Sequence, residues 1–200
     1  MLDKPLCPLN DREDCMIGII GPNDLDLARR LNDGGAPHDK FLRQIHVQAD
    51  IDMPRYWWSE ADTYKVATTA NSESTMHKLL NKKSSIVRED FLISEEDEDI
   101  AEVVIGRLEE LRIEFMSGTL SEQEKLRLLV RAKRILPEGF LQCRTWDGSY
   151  ATVKQMIHWR ENHRLKEEWG LFCDTMLQLP YMKYFMGKER LPFLNGEERG

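Results

Sequence analysis

The chain has 200 residues, 41% of them hydrophobic and 32% charged, with a formal net charge of −7. That length suffices for one domain with a real core, and that balance is ordinary for a globular protein. An acidic chain lacks the basic surface of a general nucleic-acid coat protein, although a local basic pocket for one nucleotide stays open. No apolar run reaches the length of a membrane span, and the opening MLDKPLCPLNDRED has neither region of a signal peptide, so a cytoplasmic protein is expected. Cys7, Cys15, Cys143 and Cys173 form no CxxC pair, and no Cys/His spacing fits zinc. Reduced thiols and no metal are the expectation.

In chain order, residues 16–20 form a short apolar run with strand character, ended by Gly21 and Pro22. Asn23 can cap a helix through Leu31. From Ile45 the pattern alternates strictly: Ile45, Val47, Ala49, Ile51 and Met53 on one face, His46, Gln48, Asp50 and Asp52 on the other. This predicts a half-buried strand stopped by Pro54. A short helix follows from Ser59, and residues 75–81 have helical character. The acidic residues 94–99 suit a helix N-terminus, where carboxylates meet the positive dipole end. Behind them Ile100, Val103, Val104, Leu108, Leu111 and Phe115 predict a long amphipathic helix. Ser121 and Glu124 form a capping box for the next helix, with Leu126, Leu129, Val130 and Ile135 inward. Residues 140–146 have strand character and Asp147-Gly148 is a turn signal. Ser149 or Asp147 can cap a helix carrying Tyr150, Val153, Met156 and Ile157, and another helix covers 167–177, ended by Pro180. Residues 195–200 read as a frayed tail. One α+β domain is the economical fold, a central mostly antiparallel sheet flanked by long helices.

Residues 64–77, YKVATTANSESTMH, are the most informative stretch. Thr68, Thr69, Asn71, Ser72, Glu73, Ser74 and Thr75 occupy eight positions. Such groups suit a turn that offers side-chain and backbone donors to a polar ligand, often an anion. No GxSxG, HExxH, P-loop or GxGxxG occurs. Two cationic groups stand out: Arg127, Arg131, Lys133 and Arg134 before Leu136-Pro137, and Arg160, His163, Arg164 and Lys166. Arginine forks suit phosphate oxygens, yet read alone these are solvated faces pairing with surplus acids.

The same stretch resembles the signature of the flavin-dependent (alternative) thymidylate synthases: Arg-His-Arg, seven residues, then Ser, with Asn at the fifth of the seven. Here Tyr64-Lys65-Val66 precede seven residues and Ser74, with Asn71 at the fifth place, Thr69 where the family has Ser, and Thr75 after Ser74. His38 lies about as far upstream as the family's flavin-site His. Lys133-Arg134-Ile135-Leu136-Pro137 matches a family helix end, Arg-x-x-x-Pro, whose Arg reaches substrate phosphate. Met156-Ile157-His158, Arg160, His163, Arg164 and Glu168 are similar to its closing helix. The resemblance spans roughly residues 38–169.

That resemblance implies a thymidylate-synthase-complementing-protein-like fold and transfer of a one-carbon unit to C5 of a pyrimidine deoxynucleotide. FAD would be the cofactor, with NADPH and methylenetetrahydrofolate as co-substrates. It implies His38, Tyr64, Lys65, Asn71 and His158 at the cofactor, and Ser72, Ser74, Lys133 and Arg134 at the substrate. Arg160, His163 and Arg164 become the catalytic candidates. It also implies a homotetramer with shared sites, for which Trp57, Trp58, Trp159 and the long helix are interface candidates, each Trp being otherwise a core residue. Tyr181, Tyr184, Phe185 and Phe193 form a further candidate partner surface. The departures are as specific. Arg-His-Arg becomes Tyr64-Lys65-Val66, the family's Glu two before the motif Ser becomes Ser72, and its Arg two after becomes Met76. Val66 donates no side-chain hydrogen bond, whereas Tyr64 can stack and Lys65 can meet a phosphate as a point charge. Two further readings stand beside the enzyme: a relative of the same fold that has lost flavin and binds nucleotide, and an unrelated α+β interaction protein.

Overall fold

The computed structural model describes residues 20–81 and 83–189. Residues 16–19 of the first expected strand, the tail, Cys7, Cys15 and Phe193 lie outside them. The elements are α1 (Pro22–Asp33), β1 (His46–Pro54), α2 (Arg55–Ala61), β2 (Thr69–Ser72), α3 (Thr75–Lys78), α4 (Glu98–Met116), α5 (Glu122–Ile135), β3 (Leu141–Ser149), α6 (Tyr150–Arg160), α7 (Lys166–Met176) and α8 (Met182–Phe185). Helices and one three-stranded sheet, ordered β1-β3-β2, give the α+β class read from the sequence.

The chain divides into two compact units, one of residues Gln48–Asp147 and one of the segments on either side. In the first unit, α4 and α5 pack through Leu108, Leu111, Leu128, Leu129 and Ala132, against Leu79, Leu80, Ile86 and Phe91. The capping box that starts α5 is present: Ser121 Oγ accepts the Glu124 amide, and the Ser121 amide donates to Glu124 at 2.8 Å. The inward faces differ in detail from the sequence reading. The buried stripe of α4 follows Ala101, Val104, Leu108, Leu111 and Phe115 at spacings of three and four, which leaves Ile100 and Val103 off it, Val103 being 73% exposed. On α5, Leu126 and Ile135 are likewise exposed, because Leu128, Ala132 and Leu136 carry the contact.

Two corrections bear on the site. The helix expected from Ser59 starts at Arg55, with Pro54 as its cap residue, so Trp57 and Trp58 fall on its buried face. Both are core residues and not interface residues; Trp58 Nε1 donates to Gln142 O at 2.8 Å. The hydroxyl-rich stretch is not all turn. Residues 69–72 form an exposed edge strand antiparallel to β3, with Thr69 opposite Asp147 and Ser72 opposite Arg144. Asp147-Gly148 is therefore held in the ladder of β3 and is no turn. A four-residue polar strand is one way a sheet edge avoids further pairing, and it shows no hydrophobic alternation because neither face is buried.

In the other unit, Ser149 caps α6 by accepting the Thr152 amide at 3.3 Å, as read from the sequence. Val153, Met156 and Ile157 of α6 are buried, as are Trp169, Phe172 and Cys173 of α7. Asn32 at the end of α1 donates to Phe185 O at 3.1 Å and accepts from Lys154 Nζ at 2.5 Å. Tyr184 and Phe185 are buried, so they belong to this core and not to a partner surface.

Candidate functional site

Ser74 follows the last ladder bond of the edge strand, where the Glu73 amide donates to Cys143 O at 3.1 Å. It precedes α3, and its carbonyl accepts the amides of His77 (3.1 Å) and Lys78 (2.9 Å), while its hydroxyl makes no cap bond. The next residue, Thr75, receives a hydrogen bond from Lys133 Nζ at 2.7 Å. A hydroxyl that accepts from an ammonium keeps its own proton to donate. Lys133 is half-buried on α5, whereas Arg134 beside it is exposed. The family resemblance thus pointed to Ser74 and Lys133, 59 residues apart, and the fold joins them through Thr75.

A cleft of about 580 Å3 opens at this corner, within the usual range for small-molecule sites. Ser74, Thr75, Lys78 and Lys83 line it, together with the carboxylates of Asp52, Glu73, Glu89 and Asp90. Glu73 pairs with Lys78, and Asp90 accepts the Val87 amide at 3.0 Å. Burial, then the charges of Glu73 and Asp90, push the Asp52 carboxyl up. Cys143 also lines the cleft; burial, then Asp52, Asp50 and Glu73, push its thiol up. It is a neutral thiol at physiological pH and no activated nucleophile. Sequence reasoning missed Asp52 as a site residue. Its place on the polar face of a half-buried strand was the available signal.

Tyr64, Lys65 and Val66 lie in the loop before β2. Ala67 there has φ 57°, the left-handed region, and Thr68 Oγ1 donates to Tyr64 O at 2.5 Å. Lys65 and Thr68 line a second cleft, of about 460 Å3, with Trp58, Asp62, Arg144 and Trp146. Arg144 donates to both Asp62 oxygens at 3.0 Å and to Gln142 Oε1 at 3.1 and 3.3 Å, and its guanidinium sits 4.4 Å from the Trp58 ring centre. The lining of this second cleft does not fit the diphosphate of a flavin adenine dinucleotide. Arg144 is committed to Asp62, Val66 is 83% exposed with no side-chain donor, and Lys65 is left as one ammonium against two negative charges. Asn71 and Ser72 are exposed on the edge strand between the two groups.

The other expected residues belong to the second unit. His38 is exposed on a 3₁₀ turn spanning His38–Arg43. His158 is exposed and meets the edge of Trp159. Arg160 lies 4.6 Å from the ring centre of the fully buried Trp169, and the His163 ring packs edge-on against the same indole. His163 Nδ1 accepts the Leu165 amide at 3.2 Å. These contacts tie the end of α6 to α7, a structural use of two residues proposed for catalysis. Arg164 is exposed. Among the described residues no three His, Cys, Asp or Glu side chains are placed to hold a metal ion, and no helix is long and apolar enough to cross a membrane.

No protein-family model and no curated protein sequence matches this chain. Solved structures do. Two crystal structures of the flavin-dependent thymidylate synthase ThyX of Helicobacter pylori, each with FAD and dUMP, match 83% of this chain and 82% of their own. Both show a TM-score of 0.62 at 18% identity. At that identity the likeness speaks for architecture: the chain has the fold of the flavin-dependent thymidylate synthases.

Proposed function

We propose that this chain binds a pyrimidine nucleotide in the cleft beside Ser74, with Lys133 and Thr75 holding the phosphate. The observation that carries this reading is the Lys133–Thr75 hydrogen bond, which ties a half-buried ammonium to a hydroxyl that lines the cleft. Both groups donate to phosphate oxygens, and a desolvated charged pair is stronger than an exposed one. The neighbours that share the fold hold dUMP, which fits this assignment. The resemblance adds one-carbon transfer to C5 of that nucleotide, with flavin, a reduced nicotinamide and methylenetetrahydrofolate, and assembly as a homotetramer. The pairing of Arg144 with Asp62 favours instead a nucleotide-binding protein of this fold that has lost flavin.

The test is a titration. The purified protein should be stabilised against heat by pyrimidine nucleoside monophosphates, as any ligand of the native state does. Lys133→Met should weaken nucleotide binding about 10- to 100-fold and leave nucleoside binding unchanged, the loss expected for one charged hydrogen bond of about 1.5–3 kcal/mol. No stabilisation, or wild-type affinity in that variant, refutes the reading. An absorbance spectrum with and without added FAD decides the flavin: a perturbed flavin band restores the synthase reading, and an unperturbed one supports its loss.

A further inference from the structure

The charged side chains lining the second cleft are Lys65, Arg144 and Asp62, which leave it with one net positive charge. A phosphate monoester brings about 1.5–2 negative charges at neutral pH, and a diphosphate brings more. A carboxylate brings one. We propose that this cleft is a receptor for a small carboxylic acid bound as its anion, and that Asp62 is the residue that sets its charge preference against diphosphates.

Arg144 is held as an anion receptor is held. The Trp58 ring centre lies 4.4 Å from its guanidinium, and Gln142 Oε1 accepts from Nε at 3.3 Å and from Nη2 at 3.1 Å, which fixes the plane of the fork. Both oxygens of Asp62 accept from Nη1 at 3.0 Å. A carboxylate is therefore a group this guanidinium already binds. These bonds leave one Nη2 hydrogen with no acceptor among the described residues. The Arg144 side chain is 17% exposed and that of Asp62 52%, so the cation is anchored in the wall while its partner faces water. Asp62 thus lowers the charge of the cleft without filling it. Lys65 is exposed and makes no ion pair among the described residues, so its ammonium can meet a ligand carboxylate. The loop that carries it is closed by the bond from Thr68 Oγ1 to Tyr64 O. Ala61, Ala70 and the Trp146 indole supply apolar wall in a space of about 460 Å3, which suits an acid with a compact apolar body.

Titration of the isotope-labelled protein with benzoate, benzamide and inorganic pyrophosphate, read by NMR at the Trp146 indole N–H, tests this. Benzoate should shift that signal and bind at least about tenfold more tightly than benzamide, the difference one charged hydrogen bond makes. Pyrophosphate should bind more weakly than benzoate. Lys65→Met, in an exposed loop, should weaken benzoate about tenfold. Asp62→Asn keeps the shape and an acceptor for Arg144 but removes the charge. It should tighten pyrophosphate by about tenfold and benzoate by less, because the effect of one removed charge scales with the charge of the ligand. Equal binding of benzoate and benzamide, or no binding of benzoate, overturns the receptor. A wild-type protein that prefers pyrophosphate overturns the charge preference, and a folded Asp62→Asn variant with unchanged affinities removes Asp62 from its role. Shifts confined to the cleft beside Ser74, with the Trp146 signal unmoved, overturn the location. None of these outcomes bears on nucleotide binding beside Ser74, which its own titration decides.

Discussion

Glu109 on α4 fastens the segment that frames the cleft, and its worth can be worked out from its partners. Its carboxylate accepts the Ile86 amide at 2.9 Å and two Arg112 nitrogens at 2.7 Å each. Chiefly the Arg112 hydrogen bond, with the Ile86 amide assisting against the cost of burial, holds its carboxyl down from 4.5 to about 2. A depressed folded-state value means that the unfolded chain takes up the proton first. The contribution is therefore complete above about pH 4.5 and is lost as pH falls toward 2. The full linkage is about 3 kcal/mol, and the partial exposure of the pair, 22% for the Glu109 side chain, lowers the expected value to about 1–3 kcal/mol. Glu109→Gln keeps the shape and removes the charge. Urea unfolding should show the variant less stable by that amount at pH 7, with the difference shrinking to under half by pH 3. A difference that stays constant from pH 7 to pH 3, or one below about 0.5 kcal/mol at pH 7, refutes the electrostatic account.

Two further substitutions test the backbone around the clefts. A Cβ at Gly139 would stand 2.2 Å from Leu92 O, where the Leu92 amide donates to Gly139 O at 2.8 Å; Gly139→Ala should cost about 2–4 kcal/mol in urea unfolding, and a neutral result would deny that close approach. Ala67 occupies the left-handed region at φ 57°; Ala67→Gly relieves about 1 kcal/mol of strain and adds about half of that in unfolded-state freedom, so a small rise in melting temperature is expected and a fall would count against the loop conformation.

Local rules were legible in the sequence: the alternation of β1, the capping box at Ser121 and the helical spacing of α4 and α7, while the cap of α6 was narrowed to Ser149 or Asp147. Boundaries that depend on partners were not. Nothing in residues 64–77 says that 69–72 pair with β3, because an edge strand exposed on both faces lacks the alternation that reveals strands. Asp147-Gly148 reads as a turn until Thr69 is seen opposite Asp147. Of the candidate site, Ser74 and Lys133 were reached through the family resemblance. It could not show that Thr75 joins them, nor that Arg160 and His163 spend their side chains on Trp169. Those are tertiary facts, set by which indole or hydroxyl happens to arrive.

The split in the motif, kept at Ser74 and rewritten at residues 64–66, has a structural counterpart in β3. Gln142 and Cys143 line the cleft beside Ser74, while Arg144 and Trp146 line the one beside Lys65. Gln142 bridges them: its amide nitrogen donates to Glu73 O at 3.1 Å, one residue before Ser74, and its oxygen accepts from Arg144. Arg144 is held by Asp62 in turn. A chain of bonds therefore runs from Asp62 through Arg144 and Gln142 to the turn that presents Ser74. The one arginine lining the second cleft is spent on fixing the geometry of the first. Freeing it for a flavin phosphate would break its bidentate pair with Asp62 and loosen the amide that steadies Glu73. On this chain the guanidinium of Arg144 is committed to the bonds that steady the turn presenting Ser74.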